Sequence, residues 1–460
     1  MKKERSSFTS RLGFVLAAAG SAVGLGNLWR FPYLAAKYGG GTFLLVYIIL
    51  AITFGFTIMV AEIAIGRKTR LSCIGAYSAL DKRFGFLGWL ASLVPVIITP
   101  YYCVIGGWVI KYLVEFLTGR GAEAANDAFF GSFIGVQIPG LLNTPITWFV
   151  IYVLLNAVIV LFGVEKGIEK VSRVMMPILV ILSILIAGYS LTLPGAMEGL
   201  RFYLLPRWED FSVFTILGAM GQLFYSMSLA MGIMITYGSY MQKDTILEHS
   251  VTQIEIFDTG IAMLAGLMII PAMVAFSGGD TTLVKESAGP GLMFGVLPKV
   301  FDSMAFGSFI GIIFFLLVLL AALTSSISLM ETIVSIIVDK LHVERKMATI
   351  SVIIGVLILG LPSCLGYGPL AAIQPLGMAF LDFFDFISNS VLMPIVAFLT
   401  CILIGHIVGP KTVIDEVESS SSGVFRRKKL FTVMIRWVAP IMLIIILVTE
   451  LLKVSGVIKI

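Results

Sequence analysis

The 460-residue chain has few charged residues. Charged side chains make up 13% of it and hydrophobic side chains 58%. A soluble domain carries about 25% charged and 45–50% apolar residues, so this composition excludes a soluble enzyme. Disorder is excluded too, because it requires low hydrophobicity and high charge. The sequence therefore predicts an integral membrane protein, with the lipid bilayer as a partner.

Cysteine and histidine are also scarce. Cys73, Cys103, Cys364 and Cys401 show no paired spacing, which indicates neither a disulfide framework nor a metal site. The three histidines form no HExxH motif, and the stretch 405–412 fails as a nucleotide-binding loop because Pro410 replaces the required glycine. No GxSxG nucleophile motif occurs. We therefore expect neither an enzyme nor a nucleic-acid partner.

Long apolar runs dominate what is present. A membrane-spanning helix needs about 20 apolar residues. Such runs occupy residues 12–36, 42–65, 87–117, 145–163, 174–192, 212–240, 246–276, 304–338, 348–362, 383–408 and 432–452. The fold class predicted is an all-α membrane protein of about eleven transmembrane helices.

Positive charges predict the orientation. Most Lys and Arg residues fall in the loops expected on the same side of the membrane as the N-terminal Lys2, Lys3 and Arg5. The basic stretch 417–429 belongs to that side. Cytoplasmic loops carry the excess of Lys and Arg. We expect a multi-pass protein of the cell's inner (plasma) membrane with a cytoplasmic N-terminus.

The first and sixth expected helices contain interruptions. Gly20, Gly24 and Gly26 weaken the first helix, and the stretch 226–232 weakens the sixth. One alternative for Gly20 and Gly24 is a small-residue packing face. Interrupted helices in corresponding positions of two halves instead point to a binding site at the membrane midplane. Their separation by five helices permits two inverted five-helix repeats, helices 1–5 and 6–10.

These repeats divide the chain into segments. The expected organisation is a cytoplasmic tail at 1–10, a first repeat at 11–192, a second repeat at 211–408, a cytoplasmic linker at 409–431, and a last helix with a short C-terminus at 432–460.

Polar residues inside the apolar runs are candidate functional residues. A charge at the bilayer centre costs about 2.5–3.5 kcal/mol on insertion scales, so Arg30, Asp258 and Asp385 need a reason to be there. The alternatives are interfacial snorkelling for Arg30 and Asp385 and a structural hydrogen bond for Asp258. The hydroxyls of 324–326 either bond back to their own helix or offer oxygen ligands to a hard cation.

Several motifs together resemble the neurotransmitter:sodium symporter family. They are Arg11–Phe14, Arg30–Pro32, Gly39–Gly41, Gln222–Ser226, Tyr237–Tyr240, Thr324–Ser326 and Arg345–Lys346. The resemblance extends to about residue 410 and is greatest to bacterial members, which share the fold first seen in a bacterial leucine transporter. It implies broken helices 1 and 6, sodium coupling and alternating access.

The resemblance implies two sodium sites. The first would use the Ala22 carbonyl, Asn27, Ser226, Asp258 and the substrate carboxylate. Asp258 lies either where the family has an asparagine or one turn before an acidic or serine position. Either placement puts a carboxylate beside this sodium, which favours chloride independence. The second site would use Gly20, Val23, Ala321, Thr324 and Ser325.

The resemblance also implies a substrate site between helices 1, 3, 6 and 8. Members that transport amines without a carboxylate have an aspartate where this chain has Gly24, so an α-amino acid is expected. The mostly apolar pocket favours a hydrophobic or aromatic side chain. The binding residues would be Ala22, Leu25, Gly26, Ile98, Tyr102, Tyr225, Ser226, Ser228, Met231, Ser325 and Leu329.

Gates are implied on both sides of the site. Arg30 and Asp385, with Tyr102 and Tyr225, would close the outer path, and Arg5, Asp339 and Tyr240 would close the inner one. The chain departs from the family pattern at three positions. Phe8 stands where tryptophan is usual, Tyr225 where phenylalanine is usual, and Ala230 where glycine is usual.

The sequence thus predicts a sodium-coupled importer of a hydrophobic or aromatic L-amino acid, acting as a monomer or weak dimer. A channel would show a repeated filter or a symmetric polar ring, and none occurs in the sequence. A receptor that binds without transporting remains an alternative.

Overall fold

The computed structural model describes residues 6–137, 139–287, 289–420 and 423–455. Within these residues, eight helices are long and apolar enough to cross a membrane, and a bent pair makes a ninth span. Two shorter apolar helices stand at the positions of the expected fourth and sixth helices. All eleven expected positions are therefore helical.

The helices are numbered here in chain order. They are α1a (Arg11–Ala22), α1b (Gly26–Lys37), α2 (Gly41–Thr69), α3 (Lys82–Leu117), α4 (Pro145–Leu161), α5 (Val164–Leu191), α6a (Val213–Ser226), α6b (Ile233–Tyr240), α7 (Leu247–Phe276), α8 (Gly307–Leu341), α9 (Arg345–Leu365), α10 (Phe380–Ile407) and α11 (Lys428–Val454). Short helices lie between them at Cys73–Leu80, Gly121–Ala124, Asp127–Ile134, Ala196–Leu204, Thr282–Glu286, Leu297–Asp302 and Lys411–Val417.

Two expected boundaries are corrected. Helix α5 begins ten residues before the expected start at 174, and α9 has 21 residues where 348–362 was expected. The first turns of α5 carry charged side chains, including Glu169 and Arg173, which form an ion pair. A hydropathy pattern does not detect a helical turn whose side chains are charged, because it identifies only the apolar part of a helix.

Helix 1 is broken at the glycines. Helix α1a ends at Ala22, the cap residue Val23 has an extended backbone, and the axis bends by 54° before α1b continues. The Gly24 N–H is not used in a helical ladder and donates instead to the Asn27 Oδ1 atom at 3.1 Å. The break therefore leaves backbone groups available in the middle of the bundle.

Helix 6 is broken between Ser226 and Ile233. Ser228, Ala230 and Gly232 have positive φ angles of 53°, 60° and 70°. The Ala230 N–H donates to the buried Glu62 side chain of α2 at 2.9 Å. The alanine that replaces the usual glycine is thus compatible with the unwound segment.

The two breaks lie inside the bundle. Helix α1a packs against α5, α7 and α8, while both halves of helix 6 pack against α2. Helix α3 packs against α4 and α8 on the opposite side. Helices 1, 3, 6 and 8 therefore enclose one central region.

Candidate functional site

A small central cavity lies between the broken helices and α3 and α8. Its lining residues are buried except Tyr225, which is half-buried. The lining consists of Ser21, Ala22, Gly24, Leu25, Gly26, Ile98, Tyr102, Tyr225, Ser228, Met231, Ile233, Ser325 and Leu329. Ten of the eleven predicted substrate residues line this cavity, and Ser226 is the exception.

Polar groups face the cavity at its glycine-rich wall. The Leu25 N–H donates to the Tyr102 hydroxyl at 3.2 Å. A Cβ atom added at Gly24 would lie 2.5 Å from the Ser325 Oγ atom and 2.8 Å from the Tyr102 hydroxyl. Glycine therefore lets the break in helix 1 approach α3 and α8 closely at this point.

A buried carboxylate lies beside the first break. The Ser226 hydroxyl donates to the Asp258 Oδ1 atom at 2.6 Å, and the Asn27 amide donates to the same atom at 2.8 Å. Tyr47 of α2 adds a third donor, 3.2 Å from Oδ2. The structure thus brings three predicted ligands of the first sodium, Asn27, Ser226 and Asp258, into direct contact, and Ala22 lies on the adjoining cavity wall.

The predicted ligands of the second sodium also converge. The Ser325 hydroxyl lies 2.9 Å from the Ser21 carbonyl, 3.1 Å from that of Val23 and 3.4 Å from that of Gly20. The Thr324 hydroxyl donates to the Leu320 and Ala321 carbonyls of its own helix, both at 3.1 Å, which is the alternative that the sequence left open for this residue.

These carbonyl and hydroxyl oxygens are the ligands that hard cations prefer. Among the described residues, no group of three or more His, Cys, Asp or Glu side chains could hold a metal ion. The donor chemistry therefore fits sodium as a transported ion.

The predicted outer gate residues lie above Tyr225. This ring lines the central cavity on one side and, together with Arg30, a second small cavity on the other. The Arg30 guanidinium lies over the Tyr225 ring, 5.3 Å from its centroid. Asp385 accepts hydrogen bonds from Tyr101 at 3.1 Å and Asn389 at 2.5 Å. Arg30 and Asp385, both described, do not form a direct ion pair.

The opposite end of the central region is covered by the N-terminal segment. Phe8, which stands at the usual tryptophan position, is buried and packs edge-on against Tyr237 and Tyr240 of α6b. The Tyr240 hydroxyl donates to Glu331 at 2.8 Å. Asp339 accepts the Ser72 N–H at 2.8 Å. Arg5, the third predicted residue of this gate, lies outside the described residues.

Sequence reasoning missed several residues of the site. Ser21 and Ile233 line the cavity, and Ser21 donates to Ser228 at 3.2 Å. Glu331 is fully buried and pairs with Arg345, and Glu62 is fully buried against helix 6. Both glutamates lie in apolar runs, so the rule that selected Asp258 would also have selected them.

Comparisons with known proteins identify the family. The sequence profile of the Sodium:neurotransmitter symporter family matches residues 5–129 and 129–458. The chain belongs to this family. The predicted resemblance is confirmed, and the protein is a sodium-dependent, multi-pass membrane transporter rather than an enzyme.

Relatives of the transporter cover nearly its whole length. An uncharacterised sodium-dependent transporter of Bacillus subtilis is 35% identical over 441 residues, which cover 95% of this chain and 96% of the relative. The human sodium- and chloride-dependent GABA transporter 2 is 27% identical over 90% of this chain and 75% of its own.

A solved structure confirms the predicted fold class. The crystal structure of MhsT in complex with L-phenylalanine superposes with a TM-score of 0.86 and 37% identity, covering 97% of this chain and 100% of that one.

Proposed function

We propose that the transporter is a sodium-coupled symporter that imports a hydrophobic or aromatic L-amino acid. The observation that carries the proposal is the central cavity, whose wall combines unwound backbone, Tyr102 and apolar side chains. Discontinuous helices in transporters bind charged substrate groups at their ends.

The cavity wall supports an α-amino acid as the ligand. The Leu25 and Gly26 amides and the Tyr102 hydroxyl would donate to the substrate carboxylate, while carbonyls near Ala22 and Tyr225 would accept from its amine. Ile98, Met231 and Leu329 would surround the side chain. The likeness to MhsT, whose structure contains L-phenylalanine, supports an aromatic substrate.

Coupling to sodium follows from a shared contact. In the proposed first sodium site the ion would touch both the protein oxygens and the substrate carboxylate, so each ligand would raise the affinity for the other. Asp258 would supply a negative charge next to Asn27 and Ser226. This charge supports transport that needs no chloride. The second ion would bind between Val23 and Thr324.

Alternating access would use the two covers of the cavity. Tyr225 with Arg30 would open toward one side, and the Phe8 segment with Tyr240 toward the other. We place the Phe8 cover on the cytoplasmic side, because the loops there carry most of the Lys and Arg residues.

Uptake into proteoliposomes tests this function. Labelled L-phenylalanine, L-tryptophan, L-tyrosine and L-leucine are supplied with an inward sodium gradient, with potassium in place of sodium, and with gluconate in place of chloride. We expect concentrative uptake only with sodium and equally in both anions. Saturable binding without accumulation under any gradient would instead indicate a receptor.

A further inference from the structure

Helices α4 and α8 are joined by a buried ring of hydrogen bonds. The Tyr152 and Ser326 hydroxyl oxygens are 2.8 Å apart, and the Ser326 hydroxyl lies 2.6 Å from the Asn156 Oδ1 atom. The Asn156 amide donates to the Tyr152 carbonyl at 2.9 Å. All three residues are fully buried.

The donors in this ring have one consistent direction. Asn156 Nδ2 donates to a carbonyl, so its Oδ1 atom is the acceptor for Ser326. The single Ser326 proton points to Asn156, and Tyr152 therefore donates to Ser326. A serine in a helix commonly bonds back to its own carbonyls. Here the Ala322 carbonyl lies at 2.9 Å, farther away than the Asn156 oxygen.

The ring lies next in sequence to the hydroxyls that face helix 1. Successive residues of an α-helix are rotated by about 100°. Ser326 therefore faces α4, while Ser325 contacts carbonyls of α1a and Thr324 lies against it. A Cβ atom added at Gly20 would lie 3.1 Å from the Thr324 Cβ atom. A rotation of α8 about its own axis would therefore move Ser326 relative to α4 and, at the same time, move Thr324 and Ser325 relative to helix 1.

Helix α3 packs against the tyrosine of this hydrogen-bonded ring. The aromatic side chain of Tyr152 lies directly against Gly106 of α3, where an added Cβ atom would overlap it. The Tyr152 hydroxyl consequently has little freedom to follow α8 if that helix rotates. A buried, directional contact of this kind fixes the orientation of the helix that carries it.

We propose that Tyr152, Asn156 and Ser326 are positioning residues for the second sodium site. They hold α8 in the rotational orientation in which Thr324 and Ser325 face helix 1. The inference rests on the proposed sodium coupling. Binding sites need their ligands held within about 0.5 Å, and residues behind the ligands provide this support.

Substitutions within the ring test the proposal. Tyr152→Phe removes one oxygen atom, and Ser326→Ala removes the shared hydroxyl. Equilibrium binding of labelled L-phenylalanine is titrated with sodium in detergent. We expect the half-saturating sodium concentration to rise about threefold to tenfold in each variant, as loss of one hydrogen bond near a ligand does. The substrate Kd at saturating sodium should change by less than about twofold, because the cavity wall is intact.

A matched control separates positioning from loss of packing. Ser183→Ala also removes a fully buried hydroxyl, but this one bonds within its own helix, to the Leu179 carbonyl at 2.8 Å. Its sodium titration should match that of the unmodified transporter. The double variant of Tyr152 and Ser326 should be no worse than Ser326→Ala, because both changes remove the same contact.

Failure of this proposal is distinguishable from failure of the proposed function. If the unmodified transporter binds without sodium, the coupling itself is wrong. If it requires sodium and the ring variants titrate like Ser183→Ala, the positioning role is overturned. A fall in Tm with equal losses of sodium and substrate affinity would also overturn it, since a purely structural role predicts that result. Tyr152→Phe suffices if Ser326→Ala does not fold.

Discussion

Two residues are central to the proposed site, one because of its small size and one because of its carboxylate. Gly24 allows Tyr102 and Ser325 to approach the unwound backbone, and any side chain there would enter the same space. Asp258 concentrates three donors around one carboxylate in a fully buried position.

Gly24→Ala should impair binding rather than folding. Its Cβ atom would lie 2.5 Å from Ser325, so the break and α8 must separate. We expect L-phenylalanine affinity to fall at least about tenfold, since binding sites tolerate displacements of only about 0.5 Å. Scintillation-proximity binding measures it. Gly188→Ala in α5 is the matched control, because nothing lies within 4 Å of its Cβ position. Equal affinities in the two variants would contradict the steric argument.

Asp258→Asn should make transport depend on chloride. The substitution keeps the side chain's size but removes the negative charge that Asn27 and Ser226 face. Uptake in gluconate should fall about tenfold or more, since a hydrogen bond to a charged group contributes about 1.5–3 kcal/mol. Chloride should restore part of it. The unmodified transporter measured in both anions is the control, and equal uptake by the variant in both would refute this role.

The sequence pointed to residues that the structure brings together, but not to all of their partners. Asn27 and Ser226 were predicted from family motifs and Asp258 as a charge inside an apolar run, and the structure places the three in contact. Glu331 was missed although it also lies in an apolar run. Its partner Arg345 comes from another helix, and no spacing along the chain shows that pairing.

At the scale of elements, the two broken helices organise the molecule. Glycines indicated the break in helix 1. In helix 6 the break persists although Ala230 replaces the usual glycine, because Glu62 accepts its N–H and Gly232 provides a further left-handed residue after Ser228 and Ala230. Helix propensity alone therefore underestimates the tendency of helix 6 to unwind here, because a contact with α2 also stabilises the unwound segment.

Gly232→Ala should destabilise helix 6. Gly232 has a φ of +70°, and an added Cβ atom would lie 3.1 Å from the Cys73 sulfur. A side chain in the left-handed region costs about 1–2 kcal/mol, so we expect Tm to fall by a few degrees. Gly355→Ala, in α9 with open space at its Cβ position, is the control for the thermal measurement. A variant as stable as this control would show that the segment rearranges freely.

At the scale of the whole molecule, the helices enclose a small buried cavity that opens only if covers at either end move. Ligands that bind such a closed state stabilise the folded protein by an amount set by their concentration relative to Kd. Sodium and substrate should therefore stabilise the transporter together.

L-phenylalanine should raise Tm in sodium but not in potassium. A ligand at 100 times its Kd stabilises by about 2.7 kcal/mol, which corresponds to several degrees. Thermal unfolding followed by tryptophan fluorescence measures this shift, and D-phenylalanine is the control. Stabilisation of the same size in potassium would contradict coupled binding.

The sequence by itself determined the membrane class, the approximate positions of all eleven helices and the break in helix 1. These properties depend on local composition and on motif spacing, which can be read directly from the sequence. Tertiary structure alone decided where α5 begins, which carboxylates pair, and which helix faces meet. Those outcomes depend on contacts between distant segments, such as Ser326 with Asn156 and Ala230 with Glu62, whose geometry exists only after the helices have packed.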